Sequence, residues 1–140
     1  MPRQGPPHAE LVRKLNERMV GLYAGRYRVS PQCPVVLLAP PPDYVEPDVA
    51  LLKPQDYSER DVTSEDIELI VEISDSTLER DQGEKLAAYA RNRIPEVWVL
   101  DVNANLLHTY QDSNSEIYRQ NRILEKGSQA EFSGEKLEWW

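Results

Sequence analysis

The sequence predicts an α/β domain, with α+β character, in which a central mixed β-sheet is flanked by helices. The chain has 140 residues, of which 40% are hydrophobic and 29% charged, as expected for one globular domain. Helical and strand patterns alternate along it, which is typical of a layered fold. A helix joins predicted strands at 67–74 and 96–102, and a crossover of this length favours a parallel pair.

Apolar periodicity predicts the individual elements. From His8 to Ala24 apolar residues recur every three or four positions, as on one face of an amphipathic helix. Ile67 to Ser74 is rich in Ile and Val and predicts a buried strand. Ser76 and Glu79 match a capping box that starts a helix over about 78–92. Further strands are predicted at 26–30, 34–38, 47–52, 96–102, 106–111 and 117–124, with a loop at 53–66 and the hairpin 96–111 at the sheet edge.

Composition excludes several classes of protein. The apolar runs are too short to cross a bilayer, and the first residues contain no apolar stretch resembling a secretory signal. A single cysteine, Cys33, excludes an internal disulfide framework and argues against a cysteine-rich zinc site. His8 and His108 are too few and too far apart to suggest a zinc centre; we interpret His8 as a helix-start residue and expect packing or exposure to explain His108. We expect a cytoplasmic protein.

The net charge of −8 is unevenly distributed along the chain. Residues 1–34 carry a net charge of +4, residues 35–84 a net charge of −11, and residues 85–140 a net charge of −1. The acidic middle third is either a solvated loop region or a source of carboxylates for a divalent cation. An acidic protein is a poor general DNA binder, so the basic N-terminal helix and a local metal would have to supply positive charge to a nucleic-acid substrate.

Two carboxylates interrupt predicted strands. Side chains alternate along a strand, so Glu72 shares a face with Ile70, and Asp48 shares one with Ala50. A buried carboxylate must be paired, hydrogen-bonded or bound to a metal. The alternative for each is an exposed strand end or a salt bridge to an arginine, and two such residues on neighbouring strands weaken that alternative.

A polar stripe follows on the second helix. Asp81, Lys85 and Tyr89 are spaced four residues apart and share one helix face. Asp81 and Lys85 could simply form a surface ion pair of little energetic value. The helix must, however, fold back over the sheet, and the long side chain of Lys85 could then reach Glu72.

Five short motifs follow one another along roughly residues 8–111. They are His8-Ala9-Glu10-Leu11-Val12, Glu46-Pro47-Asp48-Val49-Ala50-Leu51-Leu52, Leu69-Ile70-Val71-Glu72-Ile73-Ser74, Asp81-Gln82-Gly83-Glu84-Lys85-Leu86 with Tyr89-Ala90, and Ile94-Pro95-Glu96-Val97-Trp98-Val99-Leu100-Asp101. In this order the motifs resemble those of the PD-(D/E)XK nuclease superfamily, and most closely its Uma-two branch of restriction-endonuclease-like proteins.

The resemblance implies roles for particular residues. Asp48 and Glu72 would bind Mg²⁺ or Mn²⁺, with the carbonyl oxygen of Ile73 completing the ligand set. The superfamily's usual lysine is replaced by Ser74, and Lys85 matches the place on the following helix where this branch carries it. Asp81 and Tyr89 are implied to support these groups rather than to react.

The implied function is metal-dependent hydrolysis of phosphodiester bonds in DNA by a restriction-endonuclease-like enzyme, expected to be a homodimer without membrane attachment. The alternative is a catalytically inactive nuclease fold that serves as an interaction or dimerisation module, which the acidic balance and the aromatic tail 137–140 would suit. We expect one domain over residues 1–140. We expect this domain to lack the N-terminal hairpin that similar proteins usually carry.

Overall fold

A six-stranded mixed sheet lies at the centre of the fold. The computed structural model describes residues 5–74 and 78–138, except for the side chains of residues 78–82. In chain order the described elements are α1 (Pro6–Tyr23), β1 (Arg28–Pro31), β2 (Val35–Val36), β3 (Tyr44–Val45), β4 (Val49–Leu52), a 3₁₀ turn (Ser64–Asp66), β5 (Ile67–Ser74), α2 (Leu78–Arg91), β6 (Glu96–Asp101), β7 (Leu106–Ser113), β8 (Tyr118–Glu125), β9 (Gln129–Phe132) and β10 (Glu135–Glu138).

The strand order of the central sheet is β1-β4-β5-β6-β7-β8. The β5–β6 pair is parallel and the other pairs are antiparallel, so the predicted mixed sheet and crossover helix are confirmed. The prediction that the hairpin 96–111 forms the sheet edge is wrong. Because β8 pairs with β7 from Leu106 to Ser113, β7 is an inner strand and β8 forms that edge.

Each helix covers one face of the sheet, and alternation along β5 decides which side chains meet which helix. Leu69, Val71 and Ile73 belong to the core cluster that contains the buried face of α1. Ile70 belongs to the second cluster, together with Tyr89 of α2. Glu72 shares the face of Ile70 and is 4% exposed. The fold therefore places a carboxylate between the sheet and α2.

Two small sheets complete the described structure. The β2–β3 pair is much shorter than the strand predicted at 34–38. The β9–β10 hairpin was not predicted, because only Ala130 and Leu137 of its strands are buried, both in the core beside α1. The capping residue Ser76 and the aromatic tail residues Trp139 and Trp140 lie outside the described residues. Among the described helices none has the length and apolar character needed to cross a bilayer.

Candidate active site

Asp48, just before β4, and Glu72, on the neighbouring antiparallel strand β5, lie at the same end of the sheet. The register pairs Val49 with Val71, and Asp48 immediately precedes β4, so it stands beside Glu72. The side chain of Asp48 is 14% exposed and that of Glu72 is 5% exposed. The two carboxylates also interact electrostatically, since the negative charge of Asp48 raises the pKa of Glu72.

Helix α2 provides two polar groups to Glu72. The hydroxyl of Tyr89 donates a hydrogen bond to Glu72 Oε1 at 2.9 Å, and Lys85 Nζ lies 3.3 Å from Glu72 Oε2. Lys85 and Tyr89 are one helical turn apart and therefore share a face. The Lys85 side chain is 47% exposed, so its ammonium bridges the buried carboxylate and solvent.

Burial dominates the electrostatics of this site. It raises the pKa of Glu72 to about 7, with Lys85 and the Tyr89 hydrogen bond acting in the opposite direction. Burial also raises the pKa of Tyr89 well above its usual value, and the neighbouring Glu72 charge adds to that effect. Tyr89 therefore remains a hydrogen-bond donor throughout the physiological pH range. Among the described side chains, Lys85 is the cation that contacts Glu72, and the nearby Asp48 adds negative charge when both carboxylates are ionised.

Asp48 is held by two further hydrogen bonds. Its Oδ2 accepts from the backbone N–H of Ile73 at 2.8 Å, and its Oδ1 lies 3.1 Å from Nε2 of His8. His8 belongs to the first turn of α1 and is 3% exposed. The N-terminus of α1, the start of β4, the end of β5 and one face of α2 thus meet at this point.

The structure brings together Asp48, Glu72, Lys85, Tyr89 and the backbone of Ile73, all of them residues singled out from the sequence. Asp81 lies in the part of α2 whose side chains are outside the described set. His108 is half-buried in β7, with its ring stacked on Tyr110 at a centroid distance of 6.4 Å. Among the described side chains, no group of three or more His, Cys, Asp or Glu residues has the arrangement of a metal-ion cluster.

His8 is the site residue that the sequence interpretation assigned to another role. It does lie at the helix start, as expected, but it is buried and contacts a candidate ligand. The missed indication was its position on the helix, because His8 continues the buried stripe formed by Val12, Leu15, Met19 and Tyr23. A polar ring in such a stripe needs a partner, and here the partner is 40 residues away in sequence.

The mixed sheet, the two flanking helices and this polar cluster define a protein with a nuclease-like α+β fold. A family described as "Putative restriction endonuclease", Uma2, matches residues 1–139, and the chain belongs to this family. Among solved structures, the chain is similar to one titled as a "putative nuclease belonging to DUF820" from Anabaena variabilis. The two share 9% sequence identity with a TM-score of 0.69, over 94% of this chain and 74% of the other. No curated protein matches the chain significantly.

Proposed function

We propose that this protein is a metal-dependent endonuclease that hydrolyses phosphodiester bonds in DNA. The observation that carries the proposal is the convergence of Asp48, Glu72 and Lys85, which come from three different elements. Two carboxylates with a nearby ammonium are the groups needed to hold a divalent cation and to stabilise a phosphate undergoing attack. Membership in a family described as restriction endonucleases supports the same reaction.

The donor set fits a hard divalent cation such as Mg²⁺ or Mn²⁺. Asp48 and Glu72 supply carboxylate oxygens, and each oxygen that accepts a single hydrogen bond retains a second lone pair. The excess negative charge of the pair would be neutralised by the ion. A cation held there would lower the pKa of a water molecule and reduce the charge on the scissile phosphate.

Ile73 is suited to contribute its carbonyl oxygen to the same ion. The backbone groups of a strand residue point to one side, and the N–H of Ile73 points to Asp48 rather than to β6. The next residue, Ser74, directs its carbonyl the other way, where it accepts from the N–H of Val102. The carbonyl of Ile73 is therefore expected on the Asp48 side of β5, beyond Val49, the first residue of β4.

The remaining side chains have distinct tasks in this proposal. Lys85 would orient the attacking water and stabilise charge developing on the phosphate, for which its half-exposed ammonium is accessible. Tyr89 would keep Glu72 in place through its hydroxyl. Arg13, Lys14 and Arg18 on exposed positions of α1 would contribute to attraction of the DNA backbone.

We also propose that the protein forms a homodimer, through a surface other than the candidate active site. The eight-residue strand β8 is an edge of the central sheet in the described structure, and exposed Ile123 lies on it. Unpaired edge groups and an exposed apolar side chain favour association with a second copy. Sedimentation should give a dimer mass for the unmodified protein and a monomer mass for Ile123→Lys; a monomer in both contradicts the dimer.

The test of the main proposal is cleavage of plasmid and single-stranded DNA with Mg²⁺, with Mn²⁺ and with EDTA. The purified protein should cut only with metal, and Asp48→Ala, Glu72→Ala and Lys85→Ala should each lower the rate by about 100-fold or more. Glu84→Gln, which changes an exposed acid beside Lys85, is the matched control and should cut normally. Cutting that survives all three substitutions contradicts the proposal. Metal binding without cutting would instead favour an inactive interaction module.

A further inference from the structure

His8 makes a contact that the sequence of α1 does not require. A leucine at this position would continue the apolar stripe of the helix, whereas an imidazole carries two polar nitrogens into it. Only one of them has a partner. Nε2 meets Asp48, while Nδ1 is buried without a hydrogen-bond partner among the described residues. Leaving a buried nitrogen unsatisfied destabilises the fold, so helix packing alone does not account for His8.

The direction of the hydrogen bond between His8 and Asp48 is defined. An ionised carboxylate only accepts hydrogen bonds, so Nε2 must carry the hydrogen that it shares with Asp48 Oδ1. The backbone N–H of Ile73 holds the other oxygen, Oδ2. With a donor on each oxygen, the carboxylate plane of Asp48 is fixed, and it cannot rotate without losing one of the two bonds.

We propose that His8 is a positioning residue that orients the carboxylate of Asp48 for a divalent cation. This inference rests on the proposed metal-dependent function. His8 acts through Asp48 and needs no contact with substrate. Residues that hydrogen-bond to metal ligands orient them, and their removal commonly weakens metal binding by about 10- to 100-fold. The first turn of α1 thereby becomes part of the candidate site, although it packs against the opposite face of the sheet from α2.

Two substitutions separate positioning from packing. His8→Leu removes the donor and preserves an apolar helix face, so the protein should be at least as stable as the unmodified one while its Mn²⁺ affinity falls about 10- to 100-fold. His8→Gln restores an N–H donor at similar reach and should recover most of the affinity. Val12→Ala is the control, because it weakens the packing of α1 one turn away without touching Asp48.

The measurement is calorimetric titration with Mn²⁺, alongside chemical unfolding of each variant. The inference is supported if affinity follows the donor at position 8 while stability does not, and if Val12→Ala loses stability but keeps its affinity. It is overturned if His8→Leu binds Mn²⁺ like the unmodified protein, or if Val12→Ala loses as much affinity as His8→Leu. An unmodified protein that binds no Mn²⁺ overturns the proposed function, and the role of His8 with it.

Discussion

Lys85 Nζ and Glu72 Oε2 lie 3.3 Å apart, yet the lysine side chain is half-exposed and the glutamate side chain is 5% exposed. The pair is therefore asymmetric, with an anion inside the protein and a cation at its boundary with solvent. The ammonium lowers the pKa of Glu72, but burial outweighs it. Glu72 is consequently poised to change its charge near neutral pH, where a phosphodiesterase would use it as an anion.

Lys85→Met should raise the pKa of Glu72 further, because it removes the strongest influence that favours the ionised form. Titration of the Glu72 carboxyl by carbon NMR should show this rise, while Lys85→Arg should leave the value close to that of the unmodified protein. An unchanged pKa in Lys85→Met would show that the ammonium does not act on Glu72 in solution.

Glu72→Gln should stabilise the fold at alkaline pH. The pKa of Glu72 is raised from 4.5 to about 7, so ionisation opposes folding as the pH rises between these values. The full effect is present above about pH 7 and absent below about pH 4.5. Chemical unfolding at pH 4 and pH 8 should therefore show a gain for Glu72→Gln at pH 8 only. An equal effect at pH 4 and pH 8 would contradict the conclusion that burial raises the pKa of Glu72.

Tyr89→Phe should weaken the site as well as the fold. The substitution removes the hydroxyl that donates to Glu72 Oε1, leaving a buried carboxylate oxygen without that donor, a loss of about 1–3 kcal/mol. Mn²⁺ affinity should fall too, because Glu72 is no longer held in place.

Tyr118→Phe is the control for Tyr89→Phe. Its hydroxyl donates to the carbonyl of Ile94 at 2.7 Å, on the same side of the sheet but without contact to Glu72. It should lose stability and retain Mn²⁺ affinity. Equal loss of affinity in the two variants would mean that loosened packing, rather than the bond to Glu72, sets metal binding.

Asp66→Asn, a substitution far from the candidate site, should destabilise the fold near neutral pH but not in acid. Asp66 receives hydrogen bonds from the two terminal guanidinium nitrogens of Arg60, Nη1 and Nη2, and from the N–H of Thr63. The bonds from Arg60 are the main reason that the pKa of Asp66 lies below 3.8.

The resulting stabilisation is present above pH 3.8 and is lost as the pH falls through the lower pKa of the folded state. At pH 6 the free energy of unfolding of Asp66→Asn should therefore be about 1–2 kcal/mol lower than that of the unmodified protein. In acid the two free energies should converge. Glu65→Gln, on the same 3₁₀ turn but exposed, should change little at either pH. A difference that persists in acid would assign the effect to packing instead.

Elements with strong local patterns could be predicted from the sequence. The bounds of β5 match the Ile- and Val-rich segment 67–74, and α1 follows its apolar stripe to within two residues. The β9–β10 hairpin escaped prediction because its strands are four residues long and largely polar. Its pairing depends on the core beside α1, where Ala130 and Leu137 are buried, and such contacts leave no periodic trace in the sequence.

The candidate site also combines features that the sequence predicts with one that it does not. Alternation along β4 and β5 places Asp48 and Glu72 on one face, and helical spacing aligns Lys85 with Tyr89, because both periods are properties of the local backbone. The contact of His8 with Asp48 joins residues 40 positions apart and depends on how α1 docks on the sheet. Sequence alone therefore determined the chemical groups and the faces that present them. Only the tertiary structure decided that α1 contributes to the site, since helix docking is fixed by packing over the whole core.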